Sequence, residues 1–563
     1  MTGGLISVYK NSTQHYFMSF PNDPRFYYLH NFHKALAWIG DRHADLLSAR
    51  EHQFLQTFSA LEGTAQALLV RMIMRKGVHF RASKLNYQEI GCCRQAAVTL
   101  IANGWVLDDA SLRLDELLAL LRKDEIIDCF AERLSDPRAR KGELLEQLTP
   151  HFDDSNAFAT WCPALDDTLY SLTIDDLSER LRLMFFGNLH QGWSEFVLAD
   201  LGIFRYESVD LPPDSRALRC REDVDDYLHL HRCREAFEAG DTTAELLERI
   251  NTRRCDNPYI AARRAKLLFR IGQHLERCVE FERALQVYAS SGYGAARQRQ
   301  IRILERTTRY QEAFELASQA IATPGSDGEL QLAERALTRL SRQLGLPAAK
   351  RAKVPTPARL DLQLPKLPRL AVEQRVQLHL QSTEAPVHYV ENTLICSLFG
   401  LLCWPAIFAA VPGAFFHPFQ HGPADLLTAD FHPRRRALFA ACLAQLDDDS
   451  YRHSIRQTYH DKFGIQSPFV HWGVLDETLL EQALDCLPAA HLLAWFRRLL
   501  GDIQANRAGM PDLIQFWPEE KRYRMIEVKG PGDRLQDNQR RWLAFCAEHD
   551  MPVDVCYVQW SEA

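Results

Sequence analysis

Near the carboxyl end of the chain, Asp512, Glu527 and Lys529 offer two acids and an amine that local backbone geometry alone could bring together. Asp512 follows Gly509-Met510-Pro511 and opens the apolar run Leu513-Ile514-Gln515-Phe516-Trp517, which has strand composition. Pro518 and the charged Glu519 to Arg522 make a turn, and Tyr523 to Val528 read as a second strand. Side chains alternate faces along a strand, so Glu527 and Lys529 point the same way. If the two strands pair antiparallel, Asp512 and Glu527 can reach one cation, with Lys529 beside it. Hard oxygen ligands of this kind hold Mg²⁺ or Mn²⁺, which lowers the pKa of a bound water and neutralises charge on phosphoryl oxygens. A lysine at the metal can orient or help deprotonate that water. The competing reading is a hairpin bearing a surface Glu–Lys pair, which is common and worth little. Pro-Asp upstream and apolar strands around both carboxylates count against it.

Three segments together resemble the VRR-NUC branch of the PD-(D/E)xK nucleases: Gly509 to Leu513, Ile526 to Leu535, and Gln539-Arg540-Arg541-Trp542-Leu543. The Gly530-Pro531-Gly532-Asp533-Arg534-Leu535 continuation is similar to one subfamily, the Fanconi-associated nucleases. That family also carries an acidic residue on a helix well upstream. Val390-Glu391-Asn392-Thr393-Leu394, followed by Leu398 to Trp404, fits its context, with Glu373 and Glu384 as neighbouring acids. The resemblance implies that Glu391, Asp512 and Glu527 are metal ligands, with the Val528 carbonyl as a further one. It makes Lys529 the catalytic lysine and Gln539 a supporting polar residue. Met510 stands where the family has leucine, a volume-conserving change.

Composition fits a multidomain globular protein. A chain of 563 residues suffices for about three to five domains. Hydrophobic and charged fractions of 46% and 25% are ordinary for that class. No apolar run reaches transmembrane length, and Met1 to Phe20 lacks a signal-peptide core, so no membrane partner is expected. The fourteen cysteines include no Cys-x-x-Cys pair, which argues against a zinc ribbon or disulfide framework and suits a reducing cytosol. The histidines from His417 to His471 show no ligand spacing and read as structural or surface residues.

A net charge of −7 argues against nucleic-acid binding over the whole surface. Yet the bases are segregated, which suits a protein that grips DNA along a track. Arg71, Arg75, Lys76, Arg81, Lys84 and Arg94 crowd one segment, and Arg297, Arg299, Arg302, Arg306 and Arg309 another. Arg140, Lys141 and the Arg434-Arg435-Arg436 run are further candidate contacts.

The elements that must position these groups read as five regions. Residues 1–65 are helical with aromatics. Residues 66–215 form a DNA-binding region: the order from 66 to 108 resembles a winged helix, and short helices within 113–149 joined by Arg138 to Gly142 resemble a SAP motif. Residues 216–345 hold a repeat, because Ala261-Ala262-Arg263 and Ala295-Ala296-Arg297 fall one tetratricopeptide period apart with Leu267 and Ile301 in phase. Residues 346–370, rich in proline and base (Lys350, Arg351, Lys353, Pro355), read as an extended linker. Residues 371–563 are the nuclease domain.

The expectation is a mostly helical multidomain protein ending in an α/β restriction-endonuclease-like domain. The resemblance implies a metal-dependent, structure-selective DNA nuclease with 5′ flap endonuclease and 5′-to-3′ exonuclease action in interstrand crosslink repair. It also implies a monomer of bacterial type without a ubiquitin-binding zinc finger, placed in the cytoplasm at the nucleoid, or in the nucleus if eukaryotic. The rivals are a junction-resolving or restriction-type nuclease of the same fold, and a non-catalytic DNA-binding or tetratricopeptide scaffold.

Overall fold

In the computed structural model the described residues are 24–193, 204–253, 256–347, 357–367 and 369–561. The chain divides into two compact units, one of residues 1–203 with 218–224, the other of 204–217 with 225–563.

In the first unit, Ser48 begins the helix Ala49–Ala60 with reciprocal hydrogen bonds to Glu51, satisfying amides that a helix start leaves open. The helix Gly63–Ile73 precedes strand β1 (His79–Arg81), and the helix Cys93–Ala102 leads into β2 (Val106–Leu107). The strand that joins them is β5 (Leu169–Leu172), in the antiparallel order β1-β5-β2. The wing is thus completed from a segment whose sequence gave no signal of it. Between them, β3 (Ser111–Leu112) pairs with β4 (Asn156–Ala157) around three short helices, Leu114–Leu120, Lys123–Phe130 and Lys141–Leu148. Leu117, Ile126, Leu144 and Leu148 are fully buried there, and the Trp161 indole N–H donates to the Leu112 carbonyl at 2.9 Å.

After the helices Arg221–Ala239 and Thr243–Asn251, the second unit carries helical hairpins: Pro258–Arg277 with Phe281–Ser291, then Ala296–Arg306 with Tyr310–Ala322, followed by Asp327–Gln343. Leu267 and Ile301 occupy equivalent buried positions, as the repeat requires. The first hairpin closes tightly at Gly272, where an added Cβ would stand 2.6 Å from the Tyr288 ring.

The terminal domain is built on a five-stranded sheet in the order β6-β10-β9-β8-β7. Its strands are β6 (Ala358–Pro365), β7 (Val387–Tyr389), β8 (Leu513–Trp517), β9 (Arg522–Lys529) and β10 (Val553–Ser561). The helix Asp537–Glu548 crosses over from β9 to the parallel β10. The expected turn and hairpin are present, with β8 and β9 antiparallel and Lys521 at φ +48° in the turn. One expectation fails. The segment taken as linker contains β6, which pairs parallel with β10 along its whole length. Alternating Leu360, Leu362 and Leu364 carried the strand signal, and the flanking prolines masked it. The basic residues Lys350, Arg351 and Lys353, with Pro355, lie outside the described residues.

Candidate active site

Asp512 sits just before β8 and Glu527 and Lys529 near the end of β9, so the hairpin register brings them together. Gly509 makes the approach possible. Its φ is +92°, and a Cβ there would lie 2.8 Å from backbone and side-chain atoms of Asn538, so the crossover helix packs directly against the turn that delivers Asp512. Asp512 Oδ2 accepts the Val528 N–H at 2.7 Å. The N–H and C=O of a strand residue face the same neighbour. The Val528 carbonyl therefore opens toward Asp512, where β8 has not yet begun.

All three side chains are buried: Asp512 is 6%, Glu527 0% and Lys529 7% exposed. The Lys529 ammonium lies 2.6 Å from Glu527 Oε1 as an ion pair, while Glu527 Oε2 is buried with no donor. A buried carboxylate normally collects donors. Burial, first, and the neighbouring carboxylates push the Glu527 carboxyl up to about 7. Asp512 is raised to about 6, chiefly by burial and against the pull of the Val528 amide and Lys529. The negative field of Glu391 reaches both acids, and that of Glu373, at the start of the helix Val372–Leu380, reaches Asp512.

Glu391 is not on a helix. It lies in the turn between β7 and the helix Leu394–Leu402, which is buried on every side. Its carboxylate is partly exposed and takes hydrogen bonds from the Tyr389 hydroxyl (2.6 Å) and the Asn392 amide (3.2 Å). Sequence reasoning passed over both of these partners, although each flanks Glu391. Among the described residues no three acidic, histidine or cysteine side chains are already grouped at metal-ligand spacing. Uncompensated carboxylates repel, and Glu391 is tied to Tyr389 and Asn392 at the rim. Gln539 caps its own helix instead of facing the acids, because its side-chain oxygen accepts the Gln536 N–H at 2.8 Å. The donor set of Asp512, Glu527, the Val528 carbonyl and Glu391 suits a hard divalent cation, and the donor-free Glu527 Oε2 fits such an ion.

The candidate DNA contacts divide sharply. Arg81 is buried between Glu125 (2.6 Å) and Asp167 (2.8 Å), so it holds its unit together and cannot reach a phosphate. Arg71 pairs with Glu89 and stacks on Tyr28. Arg297 spends its fork on Glu329, and Arg435 spends its own on Asp425. Lys141 caps the Leu121 carbonyl at 2.7 Å. Arg75, Lys76, Lys84, Arg94 and Arg140 are exposed. Arg299 and Arg302 lie with Arg270, Arg277 and Arg306 around an open groove of about 530 Å³ on the helical hairpins.

Three family models match the chain: the VRR-NUC domain over residues 446–560, the FAN1 HTH domain over 26–107, and the Fanconi anemia-associated nuclease SAP domain over 111–161. The helix-turn-helix match takes in much of the segment that sequence reasoning set apart as an amino-terminal region. A Fanconi-associated nuclease 1 homolog of Pseudomonas aeruginosa is 56% identical over 537 residues, covering 95% of this chain and 96% of that one. The homolog of Oryza sativa is 26% identical, over 94% of this chain and 62% of its own length. A crystal structure of paFAN1 bound to 5′ flap DNA with a gap superposes with a TM-score of 0.90 at 55% identity, covering 96% of this chain and all of that one.

Proposed function

The chain belongs to the Fanconi-associated nucleases, DNA-cleaving hydrolases of the VRR-NUC type, and on that premise we propose that it cuts branched DNA at 5′ flaps. It would also degrade 5′-to-3′ from such ends and serve interstrand crosslink repair. The observation that carries this reading is the buried Asp512–Glu527–Lys529 cluster, in a chain that superposes nearly end to end on a relative holding flap DNA.

The family's divalent metal would be Mg²⁺ or Mn²⁺, held by Asp512, Glu527, the Val528 carbonyl and Glu391. Bound there, it supplies an activated water and offsets charge on the phosphoryl oxygens. The protein groups do the rest. Lys529, fixed by Glu527 at 2.6 Å, holds a cationic N–H at the point where the attacking oxygen must be aligned. Burial excludes bulk water and strengthens every charge interaction among the acids. The hydrogen bond that Asp512 accepts from the Val528 amide locks one ligand to the strand that carries two of the others. We further place the enzyme in a bacterial cytoplasm at the nucleoid, acting as a monomer.

A panel of 5′ flap, four-way junction, nicked and linear duplexes with Mg²⁺ or Mn²⁺ tests the reading. The 5′ flap should be cut fastest. Symmetrical cleavage of four-way junctions in preference to flaps would transfer the protein to the junction-resolving rival.

A further inference from the structure

We propose that Asn392 and Tyr389 are positioning residues that clasp Glu391 and fix the third metal-ligating oxygen relative to Asp512. The inference rests on the reading of Glu391 as a ligand.

Four hydrogen bonds define the clasp. The Asn392 amide nitrogen donates to Glu391 Oε1 at 3.2 Å, and its oxygen accepts the Met510 N–H at 3.0 Å. The Tyr389 hydroxyl donates to the other carboxylate oxygen, Oε2, at 2.6 Å. The Val390 N–H donates to the Asp512 carbonyl at 2.9 Å. Met510 stands two residues before Asp512, so a single side-chain amide spans the segments that carry two of the ligands.

Partner chemistry sets the amide's orientation. A peptide N–H can only donate and an ionised carboxylate can only accept, so the Asn392 oxygen must face Met510 and its nitrogen Glu391. Few side chains offer both at this length. Aspartate would set an acceptor against Glu391, and glycine would sever the link. The backbone agrees, because Asn392 has φ +56°, where asparagine is the best tolerated residue after glycine. A free glutamate on an exposed turn would sample many rotamers. Held on both oxygens, it is placed before a metal arrives, as outer partners place ligands elsewhere.

The test is Mn²⁺ binding by the full chain, followed calorimetrically and by electron paramagnetic resonance, with melting temperature in EDTA alongside. Asn392→Gly keeps the backbone conformation and removes only the amide. It should weaken Mn²⁺ binding by about tenfold, the low end for loss of an outer partner. The Mn²⁺ concentration for half-maximal cleavage should rise in step, while kcat at saturating metal stays within about threefold. Tyr389→Phe, at an exposed position that folding tolerates, should weaken Mn²⁺ binding by a smaller factor. In a Glu391→Gln background neither change should have any further effect on Mn²⁺ affinity.

Unchanged Mn²⁺ affinity in both variants, or losses that persist in the Glu391→Gln background, would overturn the clasp and leave Asn392 as a plain turn residue. Failure of the underlying reading looks different. In that case Glu391→Gln would itself leave Mn²⁺ binding intact, as would Asp512→Ala if the ion sits away from the acids altogether.

Discussion

The acidic site and the arginine-lined groove of the helical hairpins treat charge in opposite ways. In the groove, the buried Glu276 takes a hydrogen bond from Tyr288 (3.0 Å) and lies 3.5 Å and 3.9 Å from Arg299 and Arg302. Its charge is answered on the spot, and the exposed arginines around it stay in water. At the acidic site the fully buried Glu527 has one ammonium beside Oε1 and no donor on Oε2. A charge satisfied by its own fold is architecture. A charge buried and left short of donors destabilises the fold, and its presence points to chemistry.

That contrast breaks most visibly on substitution at the acids. Asp512→Ala and Lys529→Ala should each lower flap cleavage by at least about a thousandfold, since in the proposed mechanism each removes a group acting at the reacting phosphate. Flap affinity in a metal-free gel-shift assay should stay within several-fold. Activity surviving Asp512→Ala would mean the site lies elsewhere.

Glu527→Gln sharpens the same point through stability. Burial raises the Glu527 carboxyl from its ordinary 4.5 to about 7, so the folded state binds the proton more tightly than the unfolded chain does. Its contribution is therefore unfavourable above pH 7 and fades as pH falls toward 4.5. In EDTA the glutamine variant should be inactive yet melt a few degrees above the parent at pH 8. The gap should close by about pH 5. A variant that melts lower than the parent at pH 8 would show that the Lys529 ion pair outweighs the burial penalty.

Much of the acidic site was legible because it is local. Asp512, Glu527 and Lys529 lie on one hairpin, whose turn, strands and alternation are all short-range signals. Glu391 reaches the neighbourhood only through the pairing of β7 with β8, and its place in a turn instead of on a helix follows from the left-handed Asn392. Sequence periodicity does not register such a residue. The wing strand β5 and the edge strand β6 were missed for a related reason, as each owes its strand character to partners distant in the chain. The arginines fared worst. Clustering in sequence says nothing of whether a guanidinium is already spent, and Arg81, Arg297 and Arg435 are spent on Glu125 and Asp167, Glu329, and Asp425 respectively.

The smallest effect separates the two kinds of arginine within one repeat. Arg297 and Arg302 stand five residues apart on the helix Ala296–Arg306, yet Arg302 is 61% exposed on its side chain and Arg297 is 26%. If the groove tracks a DNA backbone, Arg302→Ala should weaken flap binding about two- to fourfold. It should also reduce the slope of log affinity against log salt by about 0.9, one phosphate contact. Arg297→Ala should leave that slope unchanged, because its fork already holds Glu329. Its cost should appear as roughly 1–2 kcal/mol of lost stability, since Glu329 stays buried without its main partner. The two variants thus exchange readouts, binding without stability for one and stability without binding for the other. Equal salt slopes for Arg302→Ala and the parent protein would make the groove a self-neutralised surface like the rest of the repeat, and would leave the exposed bases of the helix-turn-helix module to hold the duplex.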